Sequence, residues 1–300
     1  GRALRKIKLH YAGGYFAGVY VGPNDNVSAV IRRIGKRAIF LGDSFTEGSG
    51  GDTSFNNYAS IASKLLGVEC WNSGSGATGF IATGTAGRVK FQDRVSHDVI
   101  SYNPDIVVIQ GGNNDTTANQ TDLRTAVDLL ITTIKTALPN SKIYVLSNFA
   151  VQGITTNITN TRNTIKDSAF ANSVCFIDSI AGITYDASGN ALSQLLGSWI
   201  TGVGSVSNIQ ATGNASLYTA TDTGHPSIQG HKYVGERLAG EMLKISGVEA
   251  FNTQGTSVLE FPVFLDAGLL HTTGNETKTG ILTLQASVSA SAGIAKGTVF

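Results

Sequence analysis

Four short polar segments, far apart in the chain, contain the residue types of a hydrolytic site. They span 42–48 (GDSFTEG), 72–77 (NSGSGA), 112–115 (GNND) and 222–226 (DTGHP). Together they offer a serine hydroxyl, an imidazole, a carboxylate and several N–H donors, which are the groups that acyl transfer through a serine requires. The prediction depends on the combination, because a polar segment of this kind can also form a simple turn.

Ser44 is the candidate nucleophile. It follows the apolar run 37–41, which is typical of a buried parallel strand. Ligands of open α/β sheets bind beyond the carboxyl ends of such strands. A turn rich in Gly and Asp lets the serine side chain project while its own N–H faces a substrate carbonyl. The alternative for this segment alone is a polar turn without a catalytic role.

Asp222 and His225 are the candidate acid/base pair. They are three residues apart and Pro226 follows, so the pattern predicts a helix over 226–244 with Pro226 at its first position and His225 at its cap. On such a turn the carboxylate can orient the imidazole to accept a proton from Ser44. A histidine before a proline is otherwise a helix cap, and the presence of Asp222 and Ser44 favours catalysis.

Candidate donors for an oxyanion come from three of the segments. Besides the N–H of Ser44, the amide of Asn114 lies just beyond a predicted strand and can donate to a developing negative charge. A turn-forming Asn-Asn-Asp cluster is the simpler alternative, and Asp115 is predicted to hold that loop. The backbone N–H of Gly76 or Ala77 is the third candidate donor.

The segment Gly74–Gly79 also fits the glycine spacing of dinucleotide-binding loops. That function requires a helix to begin at once, so that its N-terminus can hold a pyrophosphate. Gly84 and Gly87 follow instead, which indicates a loop. We therefore expect no nucleotide cofactor.

In their types and their order, the four segments resemble the sequence blocks of the SGNH (GDSL-type) hydrolase family, over residues 37–245. The resemblance implies a flavodoxin-like three-layer α/β/α fold with a five-stranded parallel sheet, and serine esterase activity without a metal or cofactor. The roles that it implies are nucleophile for Ser44, base for His225, orienting carboxylate for Asp222 and oxyanion donor for Asn114. The glycine of the family's second block falls at Gly76 or, counted strictly, at Ala77.

The substrate hypothesis comes from the glycine-rich stretch 186–224, a candidate substrate loop. Its segment Ser198–Gly202 is similar to segments of carbohydrate acetylesterases in that family, which favours an O-acetylated glycan such as a bacterial surface polysaccharide. Trp199 and Trp71 could present ring faces to a sugar, with burial in the core as the alternative. Asp43, next to the nucleophile, is the third candidate substrate-binding residue.

Two other functions stay open. A lipase or thioesterase of the same superfamily would use the same chemistry, although no long apolar stripe lies near the four segments. A glycan-binding or structural tail module that has lost activity is the hypothesis from another class, and the complete set of catalytic side chains argues against it.

Composition excludes several classes of protein. The formal net charge of +1 predicts no nucleic-acid partner, and no apolar run approaches the length of a membrane-spanning helix. His97, His231 and His271 show no spacing typical of a metal site. Cys70 and Cys175 lie in predicted buried strands, where free thiols act as small apolar side chains, and two cysteines make no disulfide framework.

The chain divides into three predicted regions: a β cover over 1–34, a hydrolase domain over 35–247 and a β-rich extension over 248–300. In the hydrolase domain, strands predicted at 37–42, 68–72, 105–110, 142–147 and 174–178 alternate with helices predicted at 54–66, 121–137, 160–171 and 226–244. This alternation is typical of an α/β fold.

The extension over 248–300 predicts short strands and turns. Its segment Thr272–Gly280 weakly resembles segments of phage tail-fibre proteins. A small set of strands needs partners to cover its edges, so a homotrimer formed through the extension is a hypothesis. A chain beginning at Gly1 without Met is expected to be a fragment or a processed product. The compartment is left open, with a secreted or virion-associated location suspected.

Overall fold

The computed structural model of the protein describes residues 35–51, 56–85, 87–151, 153–192, 197–200 and 213–247. This part covers most of the predicted hydrolase domain. The predicted β cover over 1–34 and the extension over 248–300 lie outside the described residues. The hypotheses of a homotrimer and of a phage-tail segment therefore stay predictions.

A sheet of six strands forms the centre of the described part of the chain. The strands are β1 (Arg37–Gly42), β2 (Glu69–Gly74), β3 (Ile106–Gln110), β4 (Lys142–Leu146), β5 (Cys175–Asp178) and β6 (Ile183–Tyr185). Their order is β2-β1-β3-β4-β5-β6. Strands β1 to β5 pair in parallel, and β6 pairs antiparallel with β5. The predicted five-stranded parallel sheet is confirmed, and β6 extends it at one edge.

Helices cover both faces of this sheet. They are α1 (Ser44–Glu47), α2 (Tyr58–Leu66), α3 (Phe91–Asp98), α4 (Gln120–Ala137), α5 (Thr156–Ala171), α6 (Ala215–Tyr218) and α7 (Ile228–Ser246), with a 3₁₀ turn at Ile100–Tyr102. The four predicted helices correspond to α2, α4, α5 and α7. Helices α1 and α6 are too short to show a helical period. No described helix has the length and hydropathy of a membrane-spanning segment.

Two hydrophobic layers hold the helices to the sheet. On one face, Phe40 of β1 and Val108 of β3 pack with residues of α2 and α7. On the other face, Leu41 and Ile109 of the same strands pack with residues of α3, α4 and α5. Successive residues of a strand point to opposite faces, so both faces are buried and the strands are continuous apolar runs. The expected three-layer α/β/α arrangement is therefore present.

The last helix begins later than predicted. Its N-cap is Ser227, whose side chain accepts a hydrogen bond from the Gly230 N–H at 3.1 Å. The prediction that His225 caps the helix and that Pro226 opens it is wrong. Pro226 instead forms an isolated antiparallel bridge with Thr219. His225 therefore belongs to the turn before the helix, where its side chain is not needed as a cap.

The carboxyl ends of β1 and β3 lie side by side at one edge of the sheet, where Gly42 is aligned with Gln110. A Cβ at Gly42 would lie 2.0 Å from Thr46 Oγ1 and 2.9 Å from the Gln110 carbonyl oxygen. Only glycine therefore fits where α1 turns back over the strand ends. The segments that follow these two strands, with Ser44 and Asn114, begin at the same edge.

Candidate active site

Ser44, His225 and Asp222 form a continuous chain of side-chain hydrogen bonds. His225 Nε2 lies 2.8 Å from Ser44 Oγ, and His225 Nδ1 lies 2.6 Å from Asp222 Oδ2. A carboxylate only accepts hydrogen bonds, so Nδ1 carries the ring proton and Nε2 is left to accept from the Ser44 hydroxyl. In this arrangement an imidazole can take the proton of a serine that attacks an ester.

The turn that carries Asp222 and His225 is held by its own backbone. Asp222 Oδ1 accepts hydrogen bonds from the N–H groups of Gly224 and His225, each at 3.0 Å. The Ala220 N–H donates to the His225 carbonyl at 2.8 Å. Thr223 has a φ of 58°, in the left-handed region that tight turns use. Both oxygens of Asp222 therefore bind the second half of the turn and set the position of the ring.

Asp222 is an ionised partner for the ring. Desolvation raises its pKa, but the hydrogen bonds from the His225 ring, the His225 N–H and the Gly224 N–H together outweigh this effect and hold the pKa below its usual value. An ionised carboxylate at this position can keep the ring in one tautomer and stabilise the imidazolium that forms during the reaction.

Helix α1 presents Ser44 at its first position. The helix ends at Glu47 and is capped by Gly48, which has a φ of 104° and whose N–H donates to the Ser44 carbonyl at 3.0 Å. The first N–H groups of a helix have no partner within it, and no described residue accepts from the Ser44 N–H. This N–H is therefore available to an oxyanion.

The side chain of Asp43 points into the protein, although the sequence predicts that Asp43 binds substrate. Its side chain is fully buried and caps α1, with Oδ1 accepting from the Phe45 N–H at 2.9 Å. Desolvation raises the pKa of Asp43 to about 7, and the hydrogen bonds from Phe45 and from the Gln110 amide oppose this rise. The structure contradicts this prediction because capping turns the carboxyl inward while Ser44 turns outward.

Asn114 and Ala77 offer two further candidate donors. Asn114 lines the same cavity as Ser44 and His225, and its amide donates to the Thr78 carbonyl at 2.9 Å. An amide group has two N–H bonds, so one is left for a ligand. Ala77, which precedes Thr78, has a φ of 60°, and no described residue accepts from its N–H. The candidate donors that keep an unbonded N–H among the described residues are the Ser44 N–H, the Ala77 N–H and the Asn114 amide.

Gly76 is not available as a donor, because its N–H donates to Glu47 Oε2 at 2.7 Å. A Cβ at Gly76 would lie 2.4 Å from Arg88 Nη1 and 2.6 Å from Glu47 Oε2. A side chain at this position would therefore displace the ends of the Arg88 and Glu47 side chains. Of the two alternatives in the second polar segment, the hydrogen bonding favours Ala77 and contradicts Gly76. The positive φ of Ala77 is also the backbone conformation that favours glycine.

Asp115 holds the loop after these donors, as the sequence predicts. Its carboxylate accepts hydrogen bonds from the N–H groups of Phe80, Ile81 and Ala82, at distances between 2.9 and 3.1 Å. In the described residues no helix begins between this loop and α3. The segment Gly74–Gly79 therefore lacks the helix N-terminus that a dinucleotide site requires.

A cavity of about 330 Å³ opens beside Ser44 and His225, a volume at the lower end of small-molecule sites. Its amide and hydroxyl side chains are Asn113, Asn114, Thr116, Thr155 and Asn157. Its apolar side chains are Phe45, Phe149, Val151 and Ile158. The lining is therefore mixed, with room for a small acyl group and part of an alcohol.

The comparison with family models decides the class of this site. Residues 40–233 match the GDSL-like lipase/acylhydrolase family. The chain belongs to this family. The matched region contains all four polar segments. No curated protein matched the chain.

Solved structures of carbohydrate esterases share the fold of this GDSL-like hydrolase. A family two carbohydrate esterase from Clostridium thermocellum, in complex with cellohexaose, is 20% identical with a TM-score of 0.50, and the match covers 71% of this chain and 65% of that one. The acetylxylan esterase Axe2 from Geobacillus stearothermophilus is 17% identical with a TM-score of 0.51, and the match covers 73% of this chain and 98% of that one. At these identities the likeness concerns the fold.

The two tryptophans of this GDSL-like hydrolase do not line the cavity, which contradicts their prediction as substrate-binding residues. Trp199 is 2% exposed and packs in the core, where its carbonyl accepts from the Asn214 amide at 2.9 Å. Trp71 lies on β2 with its ring 4.3 Å from the Arg37 guanidinium and 4.4 Å from the Tyr102 ring. The sequence shows the residue type but not the direction in which the ring points.

His231 has a structural role in the GDSL-like domain. It is fully buried, and its Nδ1 accepts from the Tyr58 N–H at 3.3 Å while its Nε2 donates to the Ser49 carbonyl at 3.0 Å. Desolvation lowers the pKa of His231, so the ring is neutral. Within the described residues, no group of three or more His, Cys, Asp or Glu is placed to hold a metal ion.

Three charged residues near the site of the GDSL-like hydrolase are not predicted from the sequence. Arg94 donates to the carbonyls of Gly42 and Ser73, at 2.8 and 2.7 Å, and so joins the ends of β1 and β2. Glu47 and Arg88 form an ion pair next to Gly76, whose N–H donates to Glu47. Glu47 could have been found from its place in the first polar segment, whereas no pattern marks the two arginines.

Proposed function

We propose that the protein is a serine esterase that removes acetyl groups from a carbohydrate through an acyl-Ser44 intermediate. The observation that carries this proposal is the chain of hydrogen bonds from Ser44 through His225 to Asp222, at the wall of a cavity. Membership of the GDSL-like family supports ester hydrolysis. Likeness in fold to carbohydrate esterases, one of them an acetylxylan esterase, supports the substrate class.

In the acylation step, Ser44 Oγ attacks the carbonyl carbon of the ester while its proton moves to His225 Nε2. The carbonyl oxygen becomes an oxyanion, which the N–H groups of Ser44 and Ala77 and the Asn114 amide stabilise. Asp222 stabilises the imidazolium. His225 then gives the proton to the leaving sugar oxygen, the carbon–oxygen bond breaks and the acetyl group stays on Ser44.

Deacylation repeats these steps with water as the nucleophile. His225 Nε2 takes a proton from the water as the water oxygen attacks the acyl carbon. The same donors stabilise the second oxyanion. When the bond to Ser44 Oγ breaks, the proton on His225 returns to that oxygen and acetate leaves.

The cavity lining favours a polar alcohol and a short acyl group. The amide of Asn113 is already used by Phe149, to whose carbonyl it donates at 2.9 Å and from whose N–H it accepts at 3.0 Å. The side chain of Asn157 also lines the cavity and is exposed, so it is available to sugar hydroxyls. A fatty-acyl chain would need a continuous apolar groove, because buried polar groups without partners cost free energy.

The Asn114→Ala variant is expected to lower kcat by about 10²-fold with little change in KM, because it removes one oxyanion donor. Steady-state hydrolysis of p-nitrophenyl acetate measures both constants. Since Asn114 also holds the Thr78 carbonyl, thermal unfolding of the variant serves as the control for loop damage. A decrease in kcat of less than about threefold would show that Asn114 is not an oxyanion donor.

The substrate class is tested by acetate release from a panel of acetylated polysaccharides, with p-nitrophenyl esters of increasing acyl length beside it. We expect acetate release from at least one glycan, and kcat/KM for the acetyl ester at least about tenfold above that for the octanoyl ester, because the small mixed cavity does not hold a long chain. A preference for octanoyl would indicate a lipase or thioesterase. No hydrolysis, together with no labelling of Ser44 by a fluorophosphonate probe, would indicate a non-catalytic module.

A further inference from the structure

An ion pair between Glu47 and Arg88 lies beside the loop that carries the Ala77 donor. Arg88 Nη2 donates to Glu47 Oε1 at 3.1 Å, and Arg88 Nη1 donates to Oε2 at 3.5 Å. The same Oε2 accepts the Gly76 N–H at 2.7 Å. Glu47 is the last residue of α1, and Ser44 is the first. One carboxylate therefore joins the helix of the nucleophile to the loop of a second oxyanion donor.

The direction of the Ala77 N–H depends on its neighbour Gly76. The Ser75 N–H is held by the end of β1 at 2.9 Å, and the Thr78 carbonyl accepts an amide N–H at 2.9 Å. Between these anchors Ala77 has a φ of 60°, which an L-residue adopts only at an energetic cost. Glycine has no side chain to restrict its backbone, so the peptide that carries the Ala77 N–H can rotate. The bond from the Gly76 N–H to Glu47 fixes the peptide that precedes Gly76. Together with the Thr78 hydroxyl, which donates to the Ser75 carbonyl at 2.6 Å, it limits this rotation.

The carboxylate that holds the loop is also an electrostatic disadvantage for the reaction. Negative charge develops on the oxyanion, and a carboxylate bonded to the adjacent residue repels it. The Arg88 guanidinium contacts both oxygens of Glu47 and so offsets this charge. Glu47 and Arg88 are 31% and 40% exposed, and such ion pairs contribute little to folding stability. A role in the reaction explains the arrangement better than a role in stability.

We propose that Glu47 and Arg88 are positioning residues of the esterase reaction. Glu47 holds the Gly76 N–H so that the Ala77 N–H points at the oxyanion, and Arg88 neutralises the carboxylate that does so. This inference rests on the proposed function, because it concerns the oxyanion donors of that reaction.

Glu47→Ala is expected to lower kcat for p-nitrophenyl acetate by about 30-fold with KM unchanged within about threefold, because a misdirected donor affects the transition state and not substrate binding. Glu47→Gln keeps an acceptor for the Gly76 N–H, so its kcat stays within about threefold of the wild type. The matched control is Glu69→Ala. Glu69 is also 31% exposed and also pairs with an arginine, Arg37, but at the amino end of β2.

Arg88→Met is expected to lower kcat by about tenfold, because it leaves the Glu47 charge uncompensated near the oxyanion. Combining it with Glu47→Gln removes that charge and is expected to restore kcat to within about threefold of the Glu47→Gln variant. A role in stability alone would not give this recovery, since the double variant has also lost the ion pair.

The wild type and Ser44→Ala are assayed beside these variants, and thermal unfolding is recorded for each. If the wild type is active and Glu47→Ala matches Glu69→Ala, the inference is overturned while the proposed function stands. If the wild type is inactive, the proposed function itself has failed. If Glu47→Ala does not fold, the Arg88→Met variant and the double variant decide, and an absence of recovery in the double variant overturns the inference.

Discussion

Replacing Ser44 by alanine is expected to lower kcat for an activated acetyl ester by about 10⁴-fold or more, because the nucleophile is lost and only the oxyanion donors are left. Hydrolysis of p-nitrophenyl acetate measures the loss, and the fluorophosphonate probe should no longer label the protein. The fold should stay intact, since the hydroxyl contacts only His225 among the described residues. Circular dichroism and thermal unfolding check this.

The control for Ser44→Ala is Ser60→Ala. Ser60 lies on α2, and its hydroxyl makes no described hydrogen bond, so the variant should keep wild-type turnover. An acyl-Ser44 mechanism requires the hydroxyl in every cycle. Turnover of purified Ser44→Ala at the wild-type rate would therefore rule this mechanism out.

Replacing His225 by alanine is expected to lower kcat by about 10³- to 10⁴-fold, because no other described side chain bonds to the Ser44 hydroxyl and could take its proton. The effects of Ser44→Ala and His225→Ala on kcat should not be additive. Residues that act as one unit are strongly non-additive, so Ser44→Ala and the double variant with His225→Ala should have nearly equal residual rates. Measuring all three variants at one pH with the same ester gives the comparison.

His97 offers a matched control for His225. Its Nδ1 also lies next to a carboxylate, 2.9 Å from Asp98 Oδ1, but the side chain is 86% exposed. It does not line the cavity, and His97→Ala should keep wild-type kcat. If His225→Ala keeps more than about a tenth of the wild-type kcat, His225 is not the base.

The fold could be predicted because its centre is made of local patterns. The apolar runs that became β1 and β3 are buried on both faces, and such strands show no alternation that could be mistaken for a surface strand. Strand β6 and helix α1 have only three and four residues. An element this short has too few positions for a period to be recognised.

The convergence of Ser44, Asp222 and His225 could be predicted for a related reason. Parallel strands end at the same edge of a sheet, so polar segments that follow them meet there. The spacing of Asp222 and His225 places both side chains on one turn. The error at the helix start arose because Ser227, a better cap than histidine, stands two residues later.

The directions of individual side chains could not be predicted. Asp43 and Ser44 are neighbours, yet capping turns one into the core and leaves the other at the cavity. Trp199 is buried although its segment resembles one from carbohydrate esterases. The Gly76 N–H is unavailable to an oxyanion because it donates to Glu47. Each outcome depends on a partner that is distant in sequence or on the local backbone angle.

By itself, the sequence determined the layered α/β architecture, the family and the set of groups that meet at the sheet edge, because residue type and period act over a few neighbouring positions. Only the tertiary structure decided which N–H groups are free, which side chains face the cavity and which charges lie beside Gly76 and Ala77. These properties depend on contacts between segments that the chain brings together only when it folds, as with Glu47 and Gly76 or Ser44 and His225.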